Sequence, residues 1–469
     1  MTEHLPPSAA ICNRISELTE LVGEEVLEDV LTSLTKMCGE AFQAGQVVDM
    51  ADVENAIGDG MAETGRRLLK HAFENLDDKA PRILIDGKPW HRVSSAKKRV
   101  VTKQGFVEYW RSCYRRRGER RQRCPVDEAV GLVGNCMTRP AASDAVHTMT
   151  GKTVREAEES IARLGNMEPS QSMLLRVMES VNERWQGMEP EALDAVADGE
   201  EMPEKTAAGL ACLDGAMLAV LKREEGASES GWREVSCGTF TCLDEEGKQL
   251  SSVYHGRMPE RNKVTLKRRL TREIQRFRER CPDLPIVGIA DGAVDNWTWL
   301  EKQGFDRLAL DYWHAVDKLW DAVQHAGRPT ELYERLKGVL LEKPDGVERV
   351  IRSLRYQRLR AKTVEVREEV ERVLGYFRKF RHRMPYHSLR QEGLPVGSGV
   401  VEAANKTLFN VRMKRSGMRW SMAGGQAVMT FRALVMSRRY DAAWGQLTDT
   451  LVRPIANSDR PCDPLTVAA

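Results

Sequence analysis

Residues 207–325 alternate between strand-like and helix-like stretches, and that alternation limits the possible folds more than any other feature of the chain. Gly209–Leu221 is an apolar run that reads as a strand and carries one acid, Asp214. Trp232–Leu243 and Leu250–Tyr254 give two more strands, joined by the acidic turn Asp244-Glu245-Glu246-Gly247. Pro259–Cys281 reads as a highly charged helix with Leu266, Leu270, Ile274 and Phe277 on one face. Pro285–Ala290 is a fourth strand that ends at Asp291, Asn296–Gln303 is a short helix, and Arg307–Leu310 is a fifth strand followed by a helix over about Tyr312–Gln324.

Three hairpin-linked strands followed by helix, strand, helix and strand is the order of an RNase H-like domain. The expected fold class is therefore multidomain α+β, with an RNase H-like α/β catalytic core over 207–325. A helical insertion over 326–394 carries Arg352, Arg355, Arg358, Arg360, Lys362, Arg378, Lys379, Arg381 and Arg383. A C-terminal helix and tail follow over 395–445. Residues 446–469 are expected to be a disordered end.

Three carboxylates stand out in this frame. Asp214 and Asp291 sit at or near strands, and Glu402 opens a helix after the flexible Gly393-Leu394-Pro395-Val396-Gly397-Ser398-Gly399 turn. Each has an ordinary reading. An Asp before a Gly is commonly a turn residue, and a Glu in a first helical turn complements the macrodipole. The three together suit a site for two hard divalent cations, Mg²⁺ or Mn²⁺, acting on phosphodiesters. Asp295, Asp317 and Glu392 are the nearest decoys, and the first two read as helix-surface residues.

Upstream, residues 1–80 read as a helical region, with Ile15, Leu18, Leu21, Val22 and Val26 at helical spacing. Residues 81–190 read as a DNA-binding region. Ile83-Leu84-Ile85, the Asp86-Gly87-Lys88-Pro89 turn and the β-favouring run to Trp110 suggest a β-ribbon, basic at Lys97, Lys98, Arg99 and Lys103. The ribbon leads into Arg115, Arg116, Arg117, Arg120, Arg121 and Arg123, whose guanidinium forks suit phosphates. The alternative is a solvated loop. Residues 151–185 resemble a helix-turn-helix, with Thr153 and Glu156 as a capping box, Gly165-Asn166 as the break and Ser170 as the second cap. Asp194–Lys205 reads as an acidic linker. Lys406, Arg412, Lys414, Arg415 and Arg419 follow Glu402 and are candidate DNA clamps, or else a solvated basic face.

Composition bounds the rest. The 469 residues carry 71 basic and 69 acidic side chains, so the net charge of +2 says less than the local clusters do. With 41% hydrophobic and 30% charged residues the chain suits a soluble globular protein. No apolar run approaches the roughly 20 residues a membrane span needs. The N-terminus lacks a signal-peptide pattern, and a cytoplasmic protein is expected. The ten cysteines include no CxxC pair, so zinc is not expected. Cys237 and Cys242 are expected to be buried thiols.

Three blocks carry a resemblance. Ala211-Cys212-Leu213-Asp214-Gly215, Gly288-Ile289-Ala290-Asp291-Gly292 and Pro395-Val396-Gly397-Ser398-Gly399-Val400-Val401-Glu402-Ala403 resemble the acid blocks of bacterial insertion-sequence DDE transposases of the ISKra group, allied to Mutator-like elements. Asp311-Tyr312-Trp313-His314 is similar to the DxxH signature of such enzymes, and Lys414–Trp420 with Gly424–Ala427 resembles their tail. The resemblance covers about 207–445. It implies Asp214, Asp291 and Glu402 as metal ligands and His314 as a residue near the scissile phosphate. It also implies a bacterial, nucleoid-associated homo-oligomer acting on the terminal inverted repeats of its element and on target DNA. A structure-selective nuclease and a non-catalytic, transposase-derived DNA-binding protein are the alternatives. The upstream half departs from the group: the Cys-rich knuckles that often flank the ribbon are reduced to Cys113 and Cys124.

Overall fold

The computed structural model describes residues 9–41, 49–224, 227–449 and 451. It has mixed α and β elements and falls into two compact units, Met1–Ala192 with Trp444–Ala469, and Leu193–Ala443.

The first unit begins with α1 (Ala9–Val22), α2 (Glu24–Ala41) and α3 (Met50–Asn75). An antiparallel sheet follows, built from β1 (Arg82–Ile85), β2 (Lys88–Thr102) and β3 (Gly105–Arg115) in that order. Phe73 of α3 meets Tyr109 of β3 edge-on at 5.0 Å, which joins the helical region to the ribbon. Then come α4 (Pro125–Val130), α5 (Arg139–Gly151), α6 (Val154–Leu164) and α7 (Gln171–Asp198). The Thr153–Glu156 capping box at the start of α6 is present, with both reciprocal bonds. Met173, Leu174, Val177 and Val181 of α7 share the spacing of one helix face; the last three are buried and Met173 is half-buried. The expected disordered end is helical as far as Asp449, because α18 (below) includes its first residues; the remainder, apart from Leu451, lies outside the described residues.

The second unit holds a five-stranded sheet in the order β6-β5-β4-β7-β8. Its strands are β4 (Ala208–Glu224), β5 (Ala227–Leu243), β6 (Gln249–Arg257), β7 (Ile286–Ala290) and β8 (Arg307–Leu310). The first three pair antiparallel, whereas β4–β7 and β7–β8 pair parallel. Between strands lie α8 (Val264–Arg280) and α9 (Val294–Leu300), and α10 (Tyr312–Val323) follows β8. Next come α11 (Pro329–Glu342), α12 (Gly346–Arg360), α13 (Val364–Phe380) and α14 (Tyr386–Gln391). The unit closes with α15 (Gly399–Asn405), a π-helical turn at Lys406–Asn410, α16 (Val411–Met413) and α17 (Met422–Met436); α18 (Tyr440–Asp449) follows. The strand and helix order is the one the alternation predicts, with β4 and β5 longer than expected at their hairpin.

Alternation along the central strands sorts two cores. Ala211, Leu213, Ile286 and Ala290 pack into one cluster with Leu266, Leu270, Ile274 and Phe277 of α8 and with α10 to α13. Leu210, Cys212, Val287 and Ile289 pack into the other with Val401, Ala404 and residues of α17. All five residues of β7 are buried, as a strand covered on both faces requires. α8 lies close to the sheet at Gly238, where a Cβ would sit 2.5 Å from Leu270 Cδ1.

The acidic stretch expected as a linker is instead partly helical and anchored. Asp194, in the last turns of α7, forms ion pairs with Arg272 and Arg276, and Arg439 holds Glu200 at 2.6 Å. A run short of large apolar residues is held by charges that lie far away in sequence.

Candidate active site

Parallel pairing sets the first two acids side by side. The last partners between β4 and β7 are Leu213 and Ala290, so Asp214 and Asp291 are the next residues of adjacent strands. Asp214 stays within β4 opposite Cys237, and Gly215 continues the strand, so the turn reading of this Asp-Gly fails. Asp214 continues the alternation of Leu210 and Cys212 and so belongs to the face covered by α15. There Asn405 Nδ2 donates to its Oδ2, while the Gly215 amide donates to its Oδ1 at 2.7 Å. Asp291 Oδ1 accepts from the Ala293 amide and from Asn296 Nδ2, both at 3.1 Å. The Asp291 carbonyl accepts from Trp297 Nε1 at 2.7 Å, so Trp297 packs at the site.

Glu402 arrives by a different route. The chain enters α15 through Val396–Ser398, and this turn is tied to the start of α10. The Tyr312 amide donates to the Val396 carbonyl at 3.1 Å. Asp311, fully buried at the end of β8, accepts the Ser398 amide at 2.5 Å on Oδ2 and the Trp313 and His314 amides at 2.7 and 3.0 Å on Oδ1. It therefore caps α10 and anchors the Glu402 turn at once. The turn passes so close to Trp313 that a Cβ at Gly397 would lie 2.8 Å from the ring. The outcome is a tight cluster: Asp311, His314 and Glu402 each offer a ligand atom, all within 4.8 Å of one another. In the sequence Asp311 stands out only as part of a motif. Its buried capping role is what makes it a site residue.

The charges of these groups are coupled. The Asp214 carboxyl is pushed above its ordinary range by burial and by the charge of Asp291, against the Gly215 amide, His314 and Asn405. Glu402 is raised by burial and by Asp311, Asp214 and Asp317, with His314 opposing. The three proposed acids thus feel one another through Asp214, and His314 offsets two of them. Burial, and then Asp291 and Asp311, also push the Tyr376 hydroxyl up. Its ring edge lies 3.5 Å from where a Cβ on Gly292 would be, which adds to the site a residue from α13 that no sequence pattern indicated.

The decoys have their own partners or positions. Asp295 pairs with Lys267 at 3.0 Å, Glu392 with Arg307 at 3.0 Å, and Asp317 is exposed on α10. Cys237 and Cys242 are buried.

Two of the candidate DNA-binding arginines are not free surface groups. Arg123 joins Glu128 at 2.5 Å and Asp86 at 3.0 Å, and it exchanges backbone bonds of 2.8 and 2.9 Å with Tyr114. It holds the neck of the arginine loop. Arg412 is 2% exposed and lies 5.1 Å from the Trp420 ring centroid, packed inside the fold. Arg115, Arg117, Arg120 and Arg121 are exposed, while Arg116 is half-buried and pairs with Glu119 at 3.4 Å. Lys406, Lys414 and Arg419 are exposed, and Arg415 is half-buried with its Nε donating to the Val411 carbonyl at 3.1 Å. The ribbon is less basic than its sequence suggests: Lys97 pairs with Glu108, Lys103 with Asp144 and Lys98 with Asp127.

No family model matches this chain, and no curated protein matches it. Among solved structures, the Drosophila P element transposase strand transfer complex aligns with 68% of this chain and 82% of its own, at 9% identity and a TM-score of 0.25. A similarity that small supports neither a fold nor an activity. Among the described residues no helix is long and apolar enough to cross a membrane.

Proposed function

We propose that the chain is a DNA transposase that cleaves DNA strands and transfers them at the ends of an insertion sequence, through an RNase H-like core of the DDE type. The observation that carries the reading is the in-register end of two parallel strands, which makes Asp214 and Asp291 neighbours, with Glu402 electrostatically coupled to Asp214. The resemblance of the same three blocks to ISKra-group acid blocks supports it independently of the fold.

The donor set suits Mg²⁺ or Mn²⁺. It offers carboxylate oxygens with one imidazole nearby, and Asp214 and Glu402 are raised by burial and by neighbouring carboxylates whose charge a cation would offset. When bound, such a cation supplies Lewis acidity to a phosphodiester and lowers the pKa of an attacking hydroxyl. The chain's own residues do the rest. Rigid β4 and β7 fix Asp214 and Asp291. Asp311 sets the approach of Glu402, and exposed His314 presents an imidazole beside the reacting phosphate. The exposed arginines of the 115–121 loop and Lys406, Lys414 and Arg419 offer charge to double-stranded DNA.

The test is cleavage and joining of a duplex bearing the flanking repeats of the gene, in Mg²⁺. Asp214→Asn, Asp291→Asn and Glu402→Gln should each abolish both steps, and normal activity in any one would remove that acid from the site. Cleavage without joining would identify a nuclease. DNA binding without metal-dependent chemistry would identify a binding protein.

A further inference from the structure

Two asparagines flank the acids in the same way. Asn405 lies three residues after Glu402 on α15 and donates Nδ2 to Asp214. Asn296 lies five residues after Asp291 on α9 and donates Nδ2 to Asp291 at 3.1 Å. Both are buried, at 7% and 0% exposure. In both, Oδ1 is shielded from solvent and has no hydrogen-bond partner among the described residues. Rotating either amide by 180° would set an oxygen against a carboxylate oxygen and leave the NH₂ without a partner instead, so the orientation is fixed and each Oδ1 is left without a donor.

A buried amide oxygen left without a donor costs roughly 1–3 kcal/mol. Two such oxygens lie on the side chains that hold the two strand acids.

We propose that Asn296 and Asn405 are positioning residues of the divalent-cation site. Each holds one aspartate through Nδ2–H and keeps Oδ1 as a neutral oxygen acceptor for the hydrated cation. Neutral amides add an acceptor without adding negative charge beside the acids. Asn405 also ties the helix of the third acid to the first. The inference rests on the metal-dependent reading above.

The experiment is Mn²⁺ binding to the full chain, followed by electron paramagnetic resonance and by the rise in Tm with added Mn²⁺. Asn405→Ala and Asn296→Ala should weaken Mn²⁺ about ten- to a hundredfold, the range for removing outer-shell partners. Asn405→Asp and Asn296→Asp should lower Tm in EDTA and regain it in Mn²⁺, a metal-dependent rescue that a purely packing role would not produce. Asp214→Asn is the positive control. If wild type binds Mn²⁺, Asp214→Asn abolishes it and the alanine variants bind as wild type does, the asparagine inference is overturned while the site stands. If wild type binds no Mn²⁺, the metal-dependent reading falls first and the inference falls with it.

Discussion

Asp311→Ala separates a positioning residue from a metal ligand. The side chain is fully buried and accepts three backbone amides: Trp313 and His314 at 2.7 and 3.0 Å, and Ser398 at 2.5 Å. Losing the cap on α10 costs about 1 kcal/mol. Leaving the Ser398 amide buried without an acceptor adds roughly 1–3 kcal/mol. The expected loss is therefore about 2–4 kcal/mol, read from urea unfolding in EDTA so that no cation contributes. Asp311→Asn refines the point. Its carbonyl oxygen can still cap α10, because Asn is as good an N-cap as Asp, but its NH₂ would then face the Ser398 amide, donor against donor. That variant should lose only the Ser398 share, roughly 1–3 kcal/mol, and should loosen the Glu402 turn, seen as faster amide exchange over residues 397–402. A loss below about 0.5 kcal/mol for Asp311→Ala in EDTA, under the low end of both ranges, would refute the anchoring argument.

Three further outcomes are expected. Asp214 and Glu402 have folded-state pKa values raised above their unfolded values, so their neutral forms favour folding. In EDTA, stability should fall as pH rises above the ordinary carboxylate range of about 4 through those raised values; Asp214→Asn should flatten that decline, and an unchanged slope would exclude the coupling. The Cys113 and Cys124 sulfurs lie 3.3 Å apart, next to the doubly hydrogen-bonded Tyr114–Arg123 pair. Oxidised glutathione should convert the two thiols to one disulfide, releasing two reduced glutathiones, and peptide mapping that found both thiols still free would contradict this. Removing Arg117, Arg120 and Arg121 together should reduce the salt slope of duplex binding by roughly 0.9 for each phosphate they neutralise, whereas Arg123→Ala should act mainly by loosening the loop neck.

How much of this could be read in the sequence follows from which interactions are local. Strand order was legible because apolar runs and one-faced helices such as α8 repeat with their own periods, and the Thr153–Glu156 capping box was legible because it spans three residues. The adjacency of Asp214 and Asp291 followed from that order. The roles of Asp311 and Asn405 depend on partners 87 and 191 residues away, and no periodicity reports such pairs; Asn296 bonds Asp291 only five residues back, but no helix or strand period marks that contact. Charge patterning misled because a basic run does not say which of its cations are paired: Arg123 pairs with Glu128 and Asp86, and Arg412 lies against the ring of Trp420. The acidic 194–205 stretch looked unanchored because its arginines sit on α8 and at Arg439.

The most direct test of the central claim is a calorimetric Mn²⁺ titration of the wild-type chain beside Asp214→Asn, Asp291→Asn and Glu402→Gln, each checked for native circular dichroism. The account predicts saturable binding to wild type and at least a tenfold loss, about 1.4 kcal/mol, in each variant. Equal Mn²⁺ affinity in wild type and all three variants would contradict it.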